Sequence, residues 1–145
     1  MNGVKCRVVS LFAAFALVLA CAATLYADDY AQSKVLLETN QSVIGEALTY
    51  PGGGEANIKA MIVVLPVGES TVLHKHGVPL YAYILAGDLE LDYGPAGKRI
   101  YHTGDSFMEA MDQFHKGTNV GTEAVQILAV FMGGNEQPLV IQQQP

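Results

Sequence analysis

The sequence has 145 residues, eight Lys or Arg against fourteen Asp or Glu, half of its residues apolar, and no Trp. That length suits one globular domain and excludes a large multidomain machine. The net charge of −6 repels phosphate backbones and argues against nucleic acid as a partner.

From Val8 to Ala27 there is no charged residue, and the run follows Lys5 and Arg7. A positive start, an apolar stretch and then small residues make up a secretory signal peptide, expected over residues 1–27. Cleavage is expected after Ala22, Ala23 or, by preference, Ala27. Two alternatives stay open: an uncleaved anchor, because about twenty uncharged residues can just cross a bilayer, and a lipoprotein, because Val18-Leu19-Ala20-Cys21 has the form of a lipobox with a poor residue at Leu19. Cleavage after Ala27 leaves about 118 residues, with six basic residues and a net charge of −8. The mature chain is then periplasmic or secreted and not inserted in the membrane. Both cysteines, Cys6 and Cys21, leave with the signal, so stability must come from packing or from a metal.

Residues 28–57 read as a polar N-terminal arm with one or two short strands, on the apolar pieces Val35-Leu36-Leu37 and Val43-Ile44. The triple glycine at Gly52, Gly53 and Gly54 is a loop, since no Lys-Ser/Thr pair or helical pattern follows it. From Ile58 onward short apolar runs alternate with glycine-containing turns, the punctuation of an all-β sandwich or barrel. Strands are predicted over residues 58–67, 71–76, 80–85, 88–93, 99–102, 106–111 and 124–132. Alternation is clear in residues 88–93, where Asp88, Glu90 and Asp92 share one face and Leu89, Leu91 and Tyr93 the other. The domain is bounded at residues 58–133, and the tail, residues 134–145, is expected to fray at Gln142-Gln143-Gln144-Pro145.

His74 and His76 stand two apart in a β-branched context, so on a strand both imidazoles project from one face. His115 follows about forty residues later, just after another predicted strand. Three histidines on separate strands of a small barrel can converge on one divalent transition ion, with Mn, Fe, Ni, Cu and Zn all compatible. A His-x-His pair alone is equally at home as surface or hydrogen-bonded structural histidines.

The frame around these histidines resembles the two motifs of the cupin superfamily. The first runs from Gly68 through five residues to His74-Lys75-His76, then three residues to Leu80, six more, and Gly87. The second runs Gly104-Asp105, Ala110, Asp112, His115 and Asn119. The resemblance implies a small single-domain bacterial cupin, a double-stranded β-helix or jelly-roll barrel with its site inside. It also implies a metal site at His74, His76 and His115. The sequence departs from the motifs at Leu80, where the family usually has the ligand Glu, at Ala110 (usually Pro) and at Asp112 (usually Gly). Leu80 has no donor atom, so Glu109 is the candidate replacement, as fourth ligand or as general base, against the alternative that it faces solvent.

Tyr81 and Tyr83 share a strand face and are assigned to core or subunit contact. Leu80, Ala82 and Ile84 are expected on the inner face, with Phe107 and Met108 near an apolar pocket for a small organic ligand. His102 is assigned to the surface, Asn119 to bracing the loop after His115, and Asp105 to a turn. The function expected is that of a metal-binding cupin of the cell envelope, an oxygenase-like or isomerase-like enzyme. The alternatives are a non-catalytic binder of a small molecule or metal, and a jelly roll whose site has decayed. A homodimer is expected through sheet edges and the arm.

Overall fold

A computed structural model describes residues 34–50, 56–134 and 137–144, all within one compact unit, 34–145. The expected signal peptide, its cleavage sites, both cysteines, the triple glycine and Pro145 lie outside the described residues. Among those described, no helix is long and apolar enough to cross a membrane, and the elements are strands apart from one 3-10 turn at Gly94–Ala96.

The fold is the all-β jelly roll expected: two antiparallel sheets that share one core. Strands β1 (Ala56–Leu65), β8 (Val125–Gly134), β3 (Leu80–Ala86) and β6 (Ser106–Met108) form the first sheet in that order. β1 and β8 pair from Ala56↔Gly134 to Leu65↔Val125. The second sheet is built on β5 (Lys98–His102), β4 (Asp88–Asp92) and β7 (Lys116–Asn119). Bridges Ser70↔Thr118 and His74↔His115 carry it on to β2 (His74–Lys75), which pairs with β9 (Ile141–Gln142).

Side-chain alternation sets which faces close on each other. On β3, Leu80, Ala82 and Ile84 are buried while Tyr81 and Tyr83 are half-buried on the other face, as their spacing predicts. On β4, Leu89 and Leu91 are buried and the acidic residues lie outside, where Lys98 pairs with Glu90 at 2.9 Å. Burying each leucine contributes about 2 kcal/mol. The core joins these residues to Phe107, Ala129 and Phe131 of the first sheet.

Several boundaries differ from the sequence reading. In the arm the expected strands reduce to one bridge, Gln41↔Ala47; Val43 and Ile44 pack against the core, whereas Val35 and Leu36 stay exposed. The strand predicted at 71–76 shrinks to β2, and the one at 106–111 ends at Met108. β7 escaped prediction because Lys-Gly-Thr-Asn has no apolar pattern; there Gly117 faces the core, where an added Cβ would stand 3.3 Å from both Leu89 and Leu91. The expected domain limits fall inside β1 and β8. The tail is tied down at β9, and Gln143 N–H donates to Leu73 O at 3.1 Å.

Gly87 turns the chain from the first sheet to the second at φ +81°, and a Cβ there would lie 2.9 Å from Val125 Cα. Both features disfavour any side chain. Gly87→Ala is expected to lower stability by about 2 kcal/mol or more, read from the urea midpoint at unchanged m-value.

Candidate metal centre

His74 lies on β2, His76 immediately after it, and His115 immediately before β7. The β2 side of the sheet is stitched to the β7 side by a reciprocal backbone pair, His74 N–H to His115 O at 3.0 Å and His115 N–H to His74 O at 2.8 Å. Ring centroids are 5.0 Å apart for His74 and His76, 4.6 Å for His74 and His115, and 5.1 Å for His76 and His115. One ring nitrogen from each lies within 4.8 Å of the other two.

The hydrogen bonds decide which nitrogen that is. His74 Nδ1 lies 2.8 Å from Val72 O, His76 Nδ1 3.0 Å from Leu139 O, and His115 Nδ1 2.9 Å from Gln113 O. A carbonyl oxygen only accepts, so each Nδ1 carries the proton and donates it. In the neutral ring Nε2 is then a lone pair free to bind a cation. Burial also keeps the rings neutral: it lowers the pKa of His74 and His115 and pushes His76 down to about 3.

Glu109 is buried, at 5% exposure, and faces inward, so the solvent-facing alternative is excluded. Its Oε1 accepts from Tyr93 O–H at 2.6 Å and from Ala110 N–H at 2.8 Å. Its Oε2 stands 3.7 Å from His115 Nε2. Because His115 is neutral with its lone pair at Nε2, this contact sets two acceptors face to face, an arrangement that a cation or proton relieves. Burial pushes Glu109 up to about 7, against the lowering effect of the Tyr93 and Ala110 hydrogen bonds. Glu109 lies outside the compact group of three histidine nitrogens. The donor set and tautomers therefore fit a divalent transition ion at the histidines, with Glu109 beside it.

Leu80 is buried and lines the same cavity, where it offers no donor. Its carbonyl accepts from Glu109 N–H at 2.9 Å, so the carboxylate sits directly across the ladder from the position that lacks one. The cavity measures about 170 Å³ and is walled by Leu89 and Leu91 from one sheet and Ala82, Phe107, Ala129 and Phe131 from the other. Met108, expected near the pocket, is not among its walls. His102 is exposed and bonds Asp88 at 2.6 Å, and Asp105 closes the turn by accepting from His102 N–H at 2.7 Å. Asn119 donates to Leu65 O and Glu123 O at 2.9 and 2.7 Å, so it ties the turn after β7 to the end of β1; the expected loop after His115 is β7 itself.

Three contributors escaped the sequence reading. Tyr93 was placed on the inner face by its spacing from Leu89 and Leu91, a signal that could have pointed to it as the partner of Glu109. Leu139 and Val140, the first through its carbonyl and the second as a wall, come from a tail with no motif at all.

Residues 61–131 match the family described as the cupin domain. No curated protein matches the sequence. Among solved structures the fold is similar to a DMSP lyase from Ruegeria pomeroyi, with 20% identity, a TM-score of 0.51, and coverage of 61% of this chain and 44% of that one. It is also similar to an oxalate decarboxylase from Lactobacillus farciminis in a formate complex, with 23% identity, a TM-score of 0.51, and coverage of 59% of this chain and 26% of that one. The chain thus spans less than half the length of either, and at these identities the likeness is one of fold.

The raised pKa of Glu109 sets a pH dependence for the metal-free protein. Its contribution to stability is fully present below the ordinary carboxyl value of 4.5 and is lost as pH rises through about 7. The buried histidines act in the opposite sense at lower pH, so the informative quantity is the difference from Glu109→Gln. In chelator, wild-type stability minus that of the variant is expected to fall by on the order of a few kcal/mol between pH 4.5 and 8 in urea titrations. A flat difference would show that the carboxyl does not titrate as its burial requires.

Proposed function

Because residues 61–131 make this chain a cupin-domain protein, we propose that it is a metal-dependent cupin acting on a small organic ligand. The observation that carries the reading is the common tautomer of His74, His76 and His115, each Nδ1 bound to a carbonyl and each Nε2 free. These three would hold a divalent transition ion, Mn, Fe, Ni, Cu or Zn, and Glu109 would serve as fourth ligand or as general base. A bound ion would supply Lewis acidity toward an oxygen atom of the ligand and, for a redox-active metal, oxygenase-type chemistry.

The chain's own residues have separate tasks. The histidines would hold the ion, and the apolar walls exclude water. Tyr93 and the Ala110 N–H hold Oε1 of Glu109, which leaves Oε2 to accept or return a proton. A pKa pushed up to about 7 suits that exchange near neutral pH. A second reading, capture of a small molecule or metal without turnover, is favoured by Leu80, whose side chain leaves the histidine set short of the usual carboxylate.

Residues 1–27, with their charged, apolar and small-residue order, support an exported protein of the cell envelope. A homodimer is supported by the outer face of β1, where Ile58, Ile62 and Val64 are each at least half exposed.

Elemental analysis of protein purified without chelator or affinity metal is expected to give about one Mn, Fe, Ni, Cu or Zn per chain. The double change His74→Ala with His76→Ala should abolish it while circular dichroism stays β-rich. Metal content unchanged in the double variant would end the reading. Glu109→Gln is expected to weaken affinity by about tenfold or more, as loss of an adjoining carboxylate does.

A further inference from the structure

The cavity beside the histidines differs in chemistry from a site for an anionic substrate. Of the seventeen residues that line it, Thr71, the three histidines and Glu109 bring polar side chains, and none is Lys or Arg. Glu109 is acidic, which adds to the exclusion of anions. By register Lys59 stands opposite Phe131 on β8 and Arg99 opposite Leu91 on β4, and Lys75 lies between His74 and His76, but none of the three is among the lining residues. A carboxylate or phosphate entering this space would be desolvated without a counter-charge from the chain, a cost of several kcal/mol.

The space itself is created by two alanines. Ala82 on β3 and Ala129 on β8 are directly paired across the ladder, at 2% and 3% exposure, and both line the cavity. Their neighbours on the same face, Leu80 and Phe131, are large and are themselves paired. The small residues open a hollow between those side chains and Leu89 and Leu91 of the facing sheet. Its volume of about 170 Å³ compares with the apolar protein cavity of about 150 Å³ that takes up benzene.

Resting on the metal-site reading for where the ligand's oxygen goes, we infer that this cavity takes an uncharged, largely apolar molecule of single-ring size. Ala82 and Ala129 set that size, and one oxygen of the ligand faces the histidines. The walls recognise shape and apolar surface, and the polar groups are all gathered at one end, so a phenol or a cyclic alcohol matches both ends at once. Without an ion, a dicarboxylate or a phosphate ester finds no counter-charge in the chain.

The test is calorimetric titration at pH 8, with methyl NMR of Ala82 and Ala129, on the full chain in chelator and again with one ion loaded. The probes are phenol, cyclohexanol, benzoate, oxalate, inorganic phosphate and 2-naphthol. In chelator, phenol and cyclohexanol are expected to bind with dissociation constants on the order of 1 mM or tighter and to shift both alanine methyls. Benzoate, oxalate, phosphate and 2-naphthol should bind at least tenfold more weakly. Ala129→Leu should lose phenol at least tenfold while still taking up the ion, and Ala82→Val gives the same comparison with a smaller intrusion should the leucine not be accommodated. In chelator, benzoate or phosphate binding as tightly as phenol, 2-naphthol binding as tightly as phenol, or alanine methyls that do not move would each overturn the inference. Uptake of the ion with no phenol bound also overturns it and leaves the metal reading intact. Phenol bound by a chain that takes up no ion supports the pocket and defeats the metal reading.

Discussion

The candidate site depends on three hydrogen bonds from imidazole Nδ1 to backbone carbonyls. A buried histidine has two neutral tautomers of similar energy, and a cation site needs each ring in the one that leaves the nitrogen facing the ion unprotonated. Two of the locks are local and alike: His74 bonds the carbonyl two residues back at Val72, and His115 the carbonyl two residues back at Gln113. The third is remote, since His76 bonds Leu139, 63 residues away. Two rings are therefore oriented by their own strands and one by the closing of the chain's end over them. Burial then works with the locks, because it disfavours the protonated ring, and the neutral form with Nε2 free is the one that persists.

Glu109 answers the absence left at Leu80. The two residues face each other across the β3–β6 ladder, joined by the Glu109 N–H to Leu80 carbonyl bond. A donor lost from one strand is matched by a carboxylate on the neighbouring one, on the same inner face. The carboxylate is then divided between two tasks. Tyr93 and the Ala110 N–H both bind Oε1, which fixes the group's orientation, while Oε2 is turned toward His115. A carboxyl buried with only one oxygen satisfied is costly, and the cost is least where a proton or an ion can share the second oxygen. That is the physical ground for placing Glu109 in the site and not among structural buried acids.

The sequence displayed these features unevenly. The period-two pattern of Leu89, Leu91 and Tyr93, and of Leu80, Ala82 and Ile84, put the right faces inward because burial of alternate residues is a local property of a strand. The histidine frame was legible because motif spacing records turn lengths, which a linear chain preserves. β7 was not, since its inward positions are Gly117, small so that Leu89 and Leu91 can approach, and Asn119, whose amide donates to the carbonyls of Leu65 and Glu123 and accepts from the Gly121 N–H. Neither carries an apolar signal. The same holds for the tail: Leu139 acts through its backbone, and a carbonyl is common to every residue. The orientation of Glu109 depended on Tyr93, sixteen residues distant, and contacts between strands of different sheets are not written into either strand's own pattern.

The tail couples closure of the barrel to the chemistry within it. β9 is held to β2 by two residue pairs, against ten between β1 and β8. Yet this short ladder carries the Leu139 carbonyl that sets His76 and the Val140 side chain that walls the cavity. Anything that binds Nε2 of His76 favours the tautomer that Leu139 requires, and through it the docked tail. By the same linkage, anything that holds the tail in place strengthens binding at the histidines. An apolar ligand in contact with Val140 would add to the same balance. A bound ion, a ligand and the tail would thus contribute to one closed arrangement, each stabilised by the presence of the other two.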